Sequence, residues 1–224
     1  PLTKADLASN KIIIDNLKNL DSSIPVLSEE SLITWNERKN WNKYWLVDPL
    51  DGTKEFIKKN GEFTVNIALI ENNKPVLGVI YTPVKFDLYF AQKNCGSYKI
   101  NSSSKLFNLE EAVKIFVANQ SSVKRIIGSR SHSNQSFDSW VNQNFPKSEI
   151  VQAGSSLKFC LIAEGAADIY PRFGPTSEWD IAAGHIIVNE AGGRVNTFEN
   201  NEINYNKKED LLNPQFYAIG NYIL

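Results

Sequence analysis

The sequence predicts a mixed α/β body, and three patterns carry the prediction. Apolar residues at helical spacing open the chain, closely connected strand-like runs follow from Phe63 to Ala91, and strand and helix signals alternate after Gly128. With 224 residues, 42% hydrophobic and 22% charged, the chain resembles ordinary globular proteins and can bury one large core or two modest ones. Lys and Arg number 24 against 25 Asp and Glu. That balance leaves no global field to steer nucleic acid or an anionic membrane, so any anion recognition is local. No basic stripe with interleaved aromatics supports a nucleic-acid partner. Two thiols, Cys95 and Cys160, fit a reducing compartment, and both are expected to be buried and inert. No apolar run approaches the ~18 residues that span a bilayer, and no signal-peptide pattern opens the chain. A cytoplasmic location is expected, with peripheral membrane association and the choice between monomer and homodimer left open. The chain begins at Pro1 and contains no Met, which suggests a preceding amino-terminal piece.

The first element is a helix over Pro1 to Leu20, marked by Ala5, Ala8, Ile12, Ile13, Leu17 and Leu20. Thr3 and Asp6 have capping-box spacing, which gives Asp6 a structural explanation. Ile24 to Leu27 reads as a short strand running into Ser28, Glu29 and Glu30; an exposed acid pair is the plain reading of that end. Ser31 to Lys43 is polar and reads as a loop or lid. Tyr44 to Val47 is aromatic and apolar enough for a buried strand, and Pro49, which cannot donate a ladder hydrogen bond, predicts that it stops at Asp48. Lys54 to Lys59 offers one or two helical turns stopped by Gly61. Phe63 to Ile70, Val76 to Thr82 and Asp87 to Ala91 are strands whose short connections make them antiparallel. Asn101 to Lys105 is a polar surface loop. A soft boundary within Asn101 to Lys124 divides an amino-terminal half, 1–110, from a carboxyl-terminal half, 111–224, with no linker to separate them into two bodies. The second half reads as strand (Val123 to Ile127), helix (Gln135 to Phe145), strand (Ile150 and Val151) and helix (Ser155 to Glu164). A strongly apolar helix from Trp179 to Ala191 follows, stopped by Gly192 and Gly193, and the alternation is expected to run to the end.

Chemistry concentrates in Asp48-Pro49-Leu50-Asp51-Gly52-Thr53. Two carboxylates crowded at a strand end repel, and they stay ionised only around a shared cation. A hard ion such as Mg2+, which takes oxygen ligands and recruits phosphate, suits them. A surface turn is the bland alternative. The D-x-D-G-T nucleophile loop of haloacid-dehalogenase-like phosphatases is another, although there one residue separates the aspartates and here two do. Asp180 stands in the first turn of its helix, where the macrodipole alone favours an acid. Gly154-Ser155-Ser156 opens another helix whose free N–H groups could receive an anion, with Lys158 and Arg172 adding positive charge.

Asp48-Pro49-Leu50-Asp51-Gly52-Thr53, with Glu29 upstream and Trp179-Asp180-Ile181-Ala182-Ala183-Gly184 downstream, resembles the inositol-monophosphatase superfamily of metal-dependent, lithium-sensitive phosphatases. The strings WLVDPLDGTKEFIKKNGEFTVNIALI, GSSLKFCLIAEGAADIYPRFGPTSEWDIAAGH and SRSH are similar to its bacterial 3'(2'),5'-bisphosphate nucleotidases. The resemblance covers essentially the whole chain. Its members usually carry an initial helix and a short lysine-containing segment ahead of the position matching Pro1.

What the resemblance implies is specific. It implies a layered α-β-α-β-α sandwich with two or three Mg2+ ions between the halves, ligated by Glu29, Asp48, Asp51, Asp180 and the backbone carbonyl of Leu50. Thr53 and Asp6 would pair near the nucleophilic water, with Glu29 orienting or activating it. Gly52 and Thr53 would hold the scissile phosphate beside Glu29, Leu50, Asp51 and Asp180. His132, Ser156, Lys158 and Arg172 would lie toward the nucleoside or second phosphate. The implied reaction is release of the 3'-phosphate from adenosine 3',5'-bisphosphate, yielding AMP in sulfur assimilation or nucleotide recycling. Inositol monophosphatase or fructose bisphosphatase activity is the alternative within the superfamily, and a non-catalytic nucleotide- or metal-binding module the alternative outside enzymes. Rate enhancements for phosphate monoesters reach on the order of 10²¹-fold, more than one side chain supplies. Metal ions that share the work make a covalent phosphoenzyme unnecessary.

Overall fold

A computed structural model of the protein describes residues 2–102, 107–119, 124–130 and 135–221. Helix α1 (Lys4–Leu20) begins at a full capping box, in which Thr3 accepts from the Ala5 amide and Asp6 accepts from the Thr3 amide at 2.7 Å. Seven strands then form a sheet in sequence order: β1 (Val26–Ser28), β2 (Lys43–Asp51), β3 (Thr64–Glu71), β4 (Lys74–Thr82), β5 (Asp87–Gln92), β6 (Gly96–Asn101) and β7 (Val113–Ile115). Only β1 and β2 run parallel; every other neighbouring pair is antiparallel. The β3–β4 hairpin shows why. Asn72 and Asn73 both take positive φ (50° and 63°) between the paired residues Glu71 and Lys74, the two-residue geometry whose twist suits a tight hairpin.

The second sheet has the order β11-β12-β10-β8-β9, formed by β8 (Arg125–Ser129), β9 (Glu149–Ala153), β10 (Ile169–Arg172), β11 (Arg194–Thr197) and β12 (Phe216–Ile219). Here β8 is parallel to both β9 and β10, while β12 is antiparallel to its neighbours. Alternate residues of each sheet face different layers. Tyr44 and Leu46 join the central core with α5 (Leu157–Ala163) and α6 (Glu178–Glu190), whereas Trp45 and Val47 pack on Leu17 of α1. In the second sheet Ile127 and Tyr170 face that core, and Ile126 and Ile169 meet Phe137 and Val141 of α4 (Gln135–Asn144). The layers are therefore α1, first sheet, α5 with α6, second sheet and α4, an α-β-α-β-α sandwich. Its middle layer is tight. A Cβ on Gly78 of β4 would lie 2.6 Å from the Ala183 carbonyl oxygen of α6, and one on Gly184 would lie 2.3 Å from the Phe159 ring.

Four expectations change. Strand β2 does not stop at Asp48 but runs on to Asp51, because a register irregularity accommodates Pro49. The segment read as a loop or lid contains a helical turn, α2 (Trp35–Arg38), and is pinned: Arg38 is buried and donates to Asn206 Oδ1 at 2.5 Å and to the Glu209 carbonyl. Strand and helix cease to alternate after α6, since residues 198–215, between β11 and β12, hold no helix. Cys160 is buried as expected, but Cys95 is exposed in the β5–β6 turn, where positive φ at Asn94 and Gly96 turns the chain outward; both thiols are free. Among the described residues no helix is long and apolar enough to cross a membrane.

Candidate active site

The bulge in β2 builds the site. Asp48 pairs with Asn66 and Asp51 with Thr64, so three steps on β2 answer two on β3. One extra residue turns an odd spacing into an effectively even one, and both aspartates face the α6 side. Pro49 costs no ladder bond within the bulge, and the Leu50 amide donates to Asp48 Oδ1 at 3.0 Å. On the opposite side Ser177 and Asp180 form a capping box at the start of α6, with the Ser177 amide 2.8 Å from Asp180 Oδ2. Ligand atoms of Asp48, Asp51 and Asp180 all fall within 4.8 Å of one another. Glu29 stands outside this tight trio but lines the same cavity of about 290 Å³ as Asp51, Thr53 and Asp180.

Such crowding has an electrostatic cost. Burial, then the charges of Asp51, Asp180 and Glu29, hold the Asp48 carboxyl well above the usual carboxylate range. Asp180 is pushed up to about 7, first by burial and then by Asp51, against the lowering effect of the Ser177 amide. Glu29 is raised by burial and then by Glu30. Protons or cations must neutralise the group, and hard carboxylate oxygens suit a hard divalent ion.

Around the acids, Thr53 begins the short helix α3 (Thr53–Ile57) and its hydroxyl donates to Asp6 Oδ1 at 3.5 Å. Asp6 thus caps α1 and reaches Thr53 at once. Gly52 has φ of 89°, and a Cβ there would lie 3.1 Å from Ser155 Cβ, so the approach of the two loops requires glycine. Ser156 is buried, 2.7 Å from Asp51 Oδ2 and 2.9 Å from the Asp180 carbonyl oxygen, and accepts from Asn66 Nδ2 at 2.8 Å.

Positive groups line the same cavity. Lys158 is buried with its ammonium 5.4 Å from the Tyr170 ring centroid, and burial pushes it down to about 8 against the opposing pull of Asp51. Arg172 donates to the Pro175 carbonyl at 3.1 Å, while its buried Nε has no hydrogen-bond partner among the described residues. Ser129, Tyr170 and Arg172 also line a second cavity of about 720 Å³, so the two spaces share a wall. His132 lies outside the described residues.

The sequence reading gave no role to Asn66 or Glu62, and to Ser155 only that of a helix start. Asn66 carried a signal, as an amide at an inward position of β3 whose next two inward positions are Ala68 and Ile70. Ser155, at φ of 42°, lines the cavity and donates to the Glu62 carbonyl at 2.9 Å. Glu62 accepts from the Gly154 amide at 2.8 Å and forms a two-pronged pair with Arg130 at 2.7 and 2.8 Å, joining segments from both sheets. Nothing local announces a contact between residues 68 positions apart.

Residues 1–220 match the pattern of the inositol monophosphatase family. The chain belongs to the inositol monophosphatase family. Curated relatives in it include the 3'(2'),5'-bisphosphate nucleotidase CysQ of Salmonella typhimurium, 46% identical over 96% of this chain and 84% of its own. The protein of that name from Buchnera aphidicola is 47% identical over 97% and 80%. The crystal structure of CysQ from Bacteroides thetaiotaomicron, described as a bacterial member of the inositol monophosphatase family, superposes with a TM-score of 0.88 at 42% identity, covering 97% of this chain and 84% of that one. The inositol monophosphatase family is metal-dependent, in keeping with the acidic trio.

Proposed function

We propose that the protein is a Mg2+-dependent 3'(2'),5'-bisphosphate nucleotidase that removes the 3'-phosphate of adenosine 3',5'-bisphosphate. The observation that carries this reading is one cavity lined by both charges: Asp51 and Asp180 of the acidic trio together with the cations Lys158 and Arg172. A substrate with two phosphates suits that pairing, one for the acid-held metal and one for the cations. Identities of 46% and 47% to proteins named for this activity support it.

Bound by Glu29, Asp48, Asp51, Asp180 and the Leu50 carbonyl, two or three Mg2+ ions would supply an acidified water and neutralise the phosphoryl oxygens. The chain's own groups do the rest. The Thr53 hydroxyl turns its proton toward Asp6 across a long 3.5 Å contact, which leaves its lone pairs to accept from the attacking water. Glu29, which lines the same cavity, orients that water. Gly52 presents bare backbone to the scissile phosphate, and Lys158 and Arg172 hold the other phosphate.

Phosphate release from adenosine 3',5'-bisphosphate, inositol 1-phosphate and fructose 1,6-bisphosphate, with and without chelator, tests the proposal. Hydrogen bonds to charged groups contribute about 1.5–3 kcal/mol each, so two cations predict a preference of roughly 10²-fold or more over the monophosphate. Chelator should abolish turnover. Equal rates on the three substrates, or nucleotide binding with no phosphate release in fresh Mg2+, would refute it. Lys158 adds a pH prediction. Its ammonium is lost as pH rises through about 8, so kcat/KM for the bisphosphate should fall above that pH through a loss of binding. Lys158→Met should raise KM by roughly 10- to 100-fold and flatten this alkaline limb; an unaltered limb would assign it to another group.

A further inference from the structure

We infer that Asn66 and Ser156 are positioning residues that fix the orientation of Asp51, with Ser156 acting on that carboxylate and Asn66 acting through Ser156. The chain of donors has a single direction. Thr64 Oγ1 donates to Asn66 Oδ1 at 3.0 Å, which sets the Asn66 amide so that Nδ2 points at Ser156 Oγ, 2.8 Å away. A serine hydroxyl has one proton. With a lone pair already engaged by Asn66, that proton goes to Asp51 Oδ2 at 2.7 Å or to the Asp180 carbonyl at 2.9 Å. Thr64, Asn66 and Ser156 are all buried, so water does not substitute for a missing link. Asn66 also reaches Asp51 Oδ2 directly, but at 3.5 Å the contact is weak.

The consequence is geometric. Asp51 sits among carboxylates that repel it, on a strand bulge. A donor on Oδ2 holds that oxygen back and leaves Oδ1 to turn toward the neighbouring acids and whatever they hold. The Asp180 carbonyl is the competing acceptor, and an ionised Asp51, the nearer and stronger of the two, takes the proton. This role differs from contact with the nucleoside or second phosphate, and it rests on the proposed metal binding by the trio.

Mg2+ binding to the whole chain, measured by calorimetry without substrate, tests the inference alongside KM for adenosine 3',5'-bisphosphate at saturating Mg2+. Partners that orient metal ligands change affinity by about 10- to 100-fold, so Ser156→Ala should weaken Mg2+ binding by roughly tenfold or more with KM nearly unchanged. Asn66→Leu, which removes the donor to Ser156 while keeping the branched shape and the number of side-chain heavy atoms, should weaken it in the same direction. The double variant should bind no worse than Ser156→Ala alone, because the two act in series. Ser156→Ala with an unchanged Mg2+ isotherm and a raised KM would make Ser156 a substrate contact. Independent, multiplying effects of the two substitutions would break the relay. A wild-type chain that binds no Mg2+ would overturn the metal reading itself, which the wild-type isotherm reveals separately from any variant.

Discussion

Asp51→Asn should lose more than the ~100-fold that orienting partners alone account for, and should nonetheless melt at a higher temperature in chelator. The two effects share one cause. Asp51 is among the leading charges that raise Asp48 and Asp180 above the carboxylate range. An amide of the same shape removes that repulsion and fills the same space. Without metal the remaining acids relax, and a gain of about 1 kcal/mol corresponds to roughly 2–4 °C in a chain of this size. With metal the deficit appears, because a neutral amide neither compensates a cation nor shares it with Asp48 and Asp180. Phosphate release and thermal melts, each with Mg2+ and with chelator, check both halves. Undiminished turnover would remove Asp51 from the chemistry, and a lower melting temperature in chelator would show that the trio's repulsion is not the dominant local strain. A fold that tolerates such a cluster trades stability for function.

Periodicity was enough for elements whose fate is decided by neighbours in sequence. Helix α1, the β3–β4 hairpin and apolar α6 each carry their apolar spacing, their asparagines or their terminal glycines within a few residues. The acids were visible too, because two aspartates beside a proline and a glycine are a local pattern. How they converge was not. Pro49 argued correctly that the ladder is interrupted, yet interruption can mean a turn or a bulge, and pairing with β3 decided for the bulge. The neighbours Ser155 and Ser156 show the same limit. Their roles separate only because a left-handed residue aims one hydroxyl at the Glu62 carbonyl beside the open cavity and the other into the core. Arg38, Glu62 and Arg130 have partners far along the chain, and a charged residue read locally looks like a solvated one.

Gly78→Ala should reach the active site through α6. A Cβ at this position would sit 2.4 Å from Ile186 Cγ2 and 2.6 Å from the Ala183 carbonyl oxygen. Ile186 can change rotamer, but Ala183 O is helix backbone and cannot yield alone. Either β4 bends or α6 moves away, and overpacking of this kind costs about 1–3 kcal/mol, here at the upper end. That predicts a fall of roughly 6–12 °C in melting temperature. Ala183 lies less than one helical turn beyond Asp180, so a displaced helix carries Asp180 away from Asp48 and Asp51, whose ligand atoms now share a 4.8 Å span. The Mg2+ concentration for half-maximal turnover should rise together with the loss of stability. Gly174→Ala is the matched control for melting, since its added carbon would meet nothing closer than the Arg172 guanidinium at 3.7 Å. Equal melting temperatures for the two variants would mean that α6 is not held to the sheet at Gly78. A lower melting temperature with an unshifted Mg2+ requirement would mean that the sheet, not the helix, gives way.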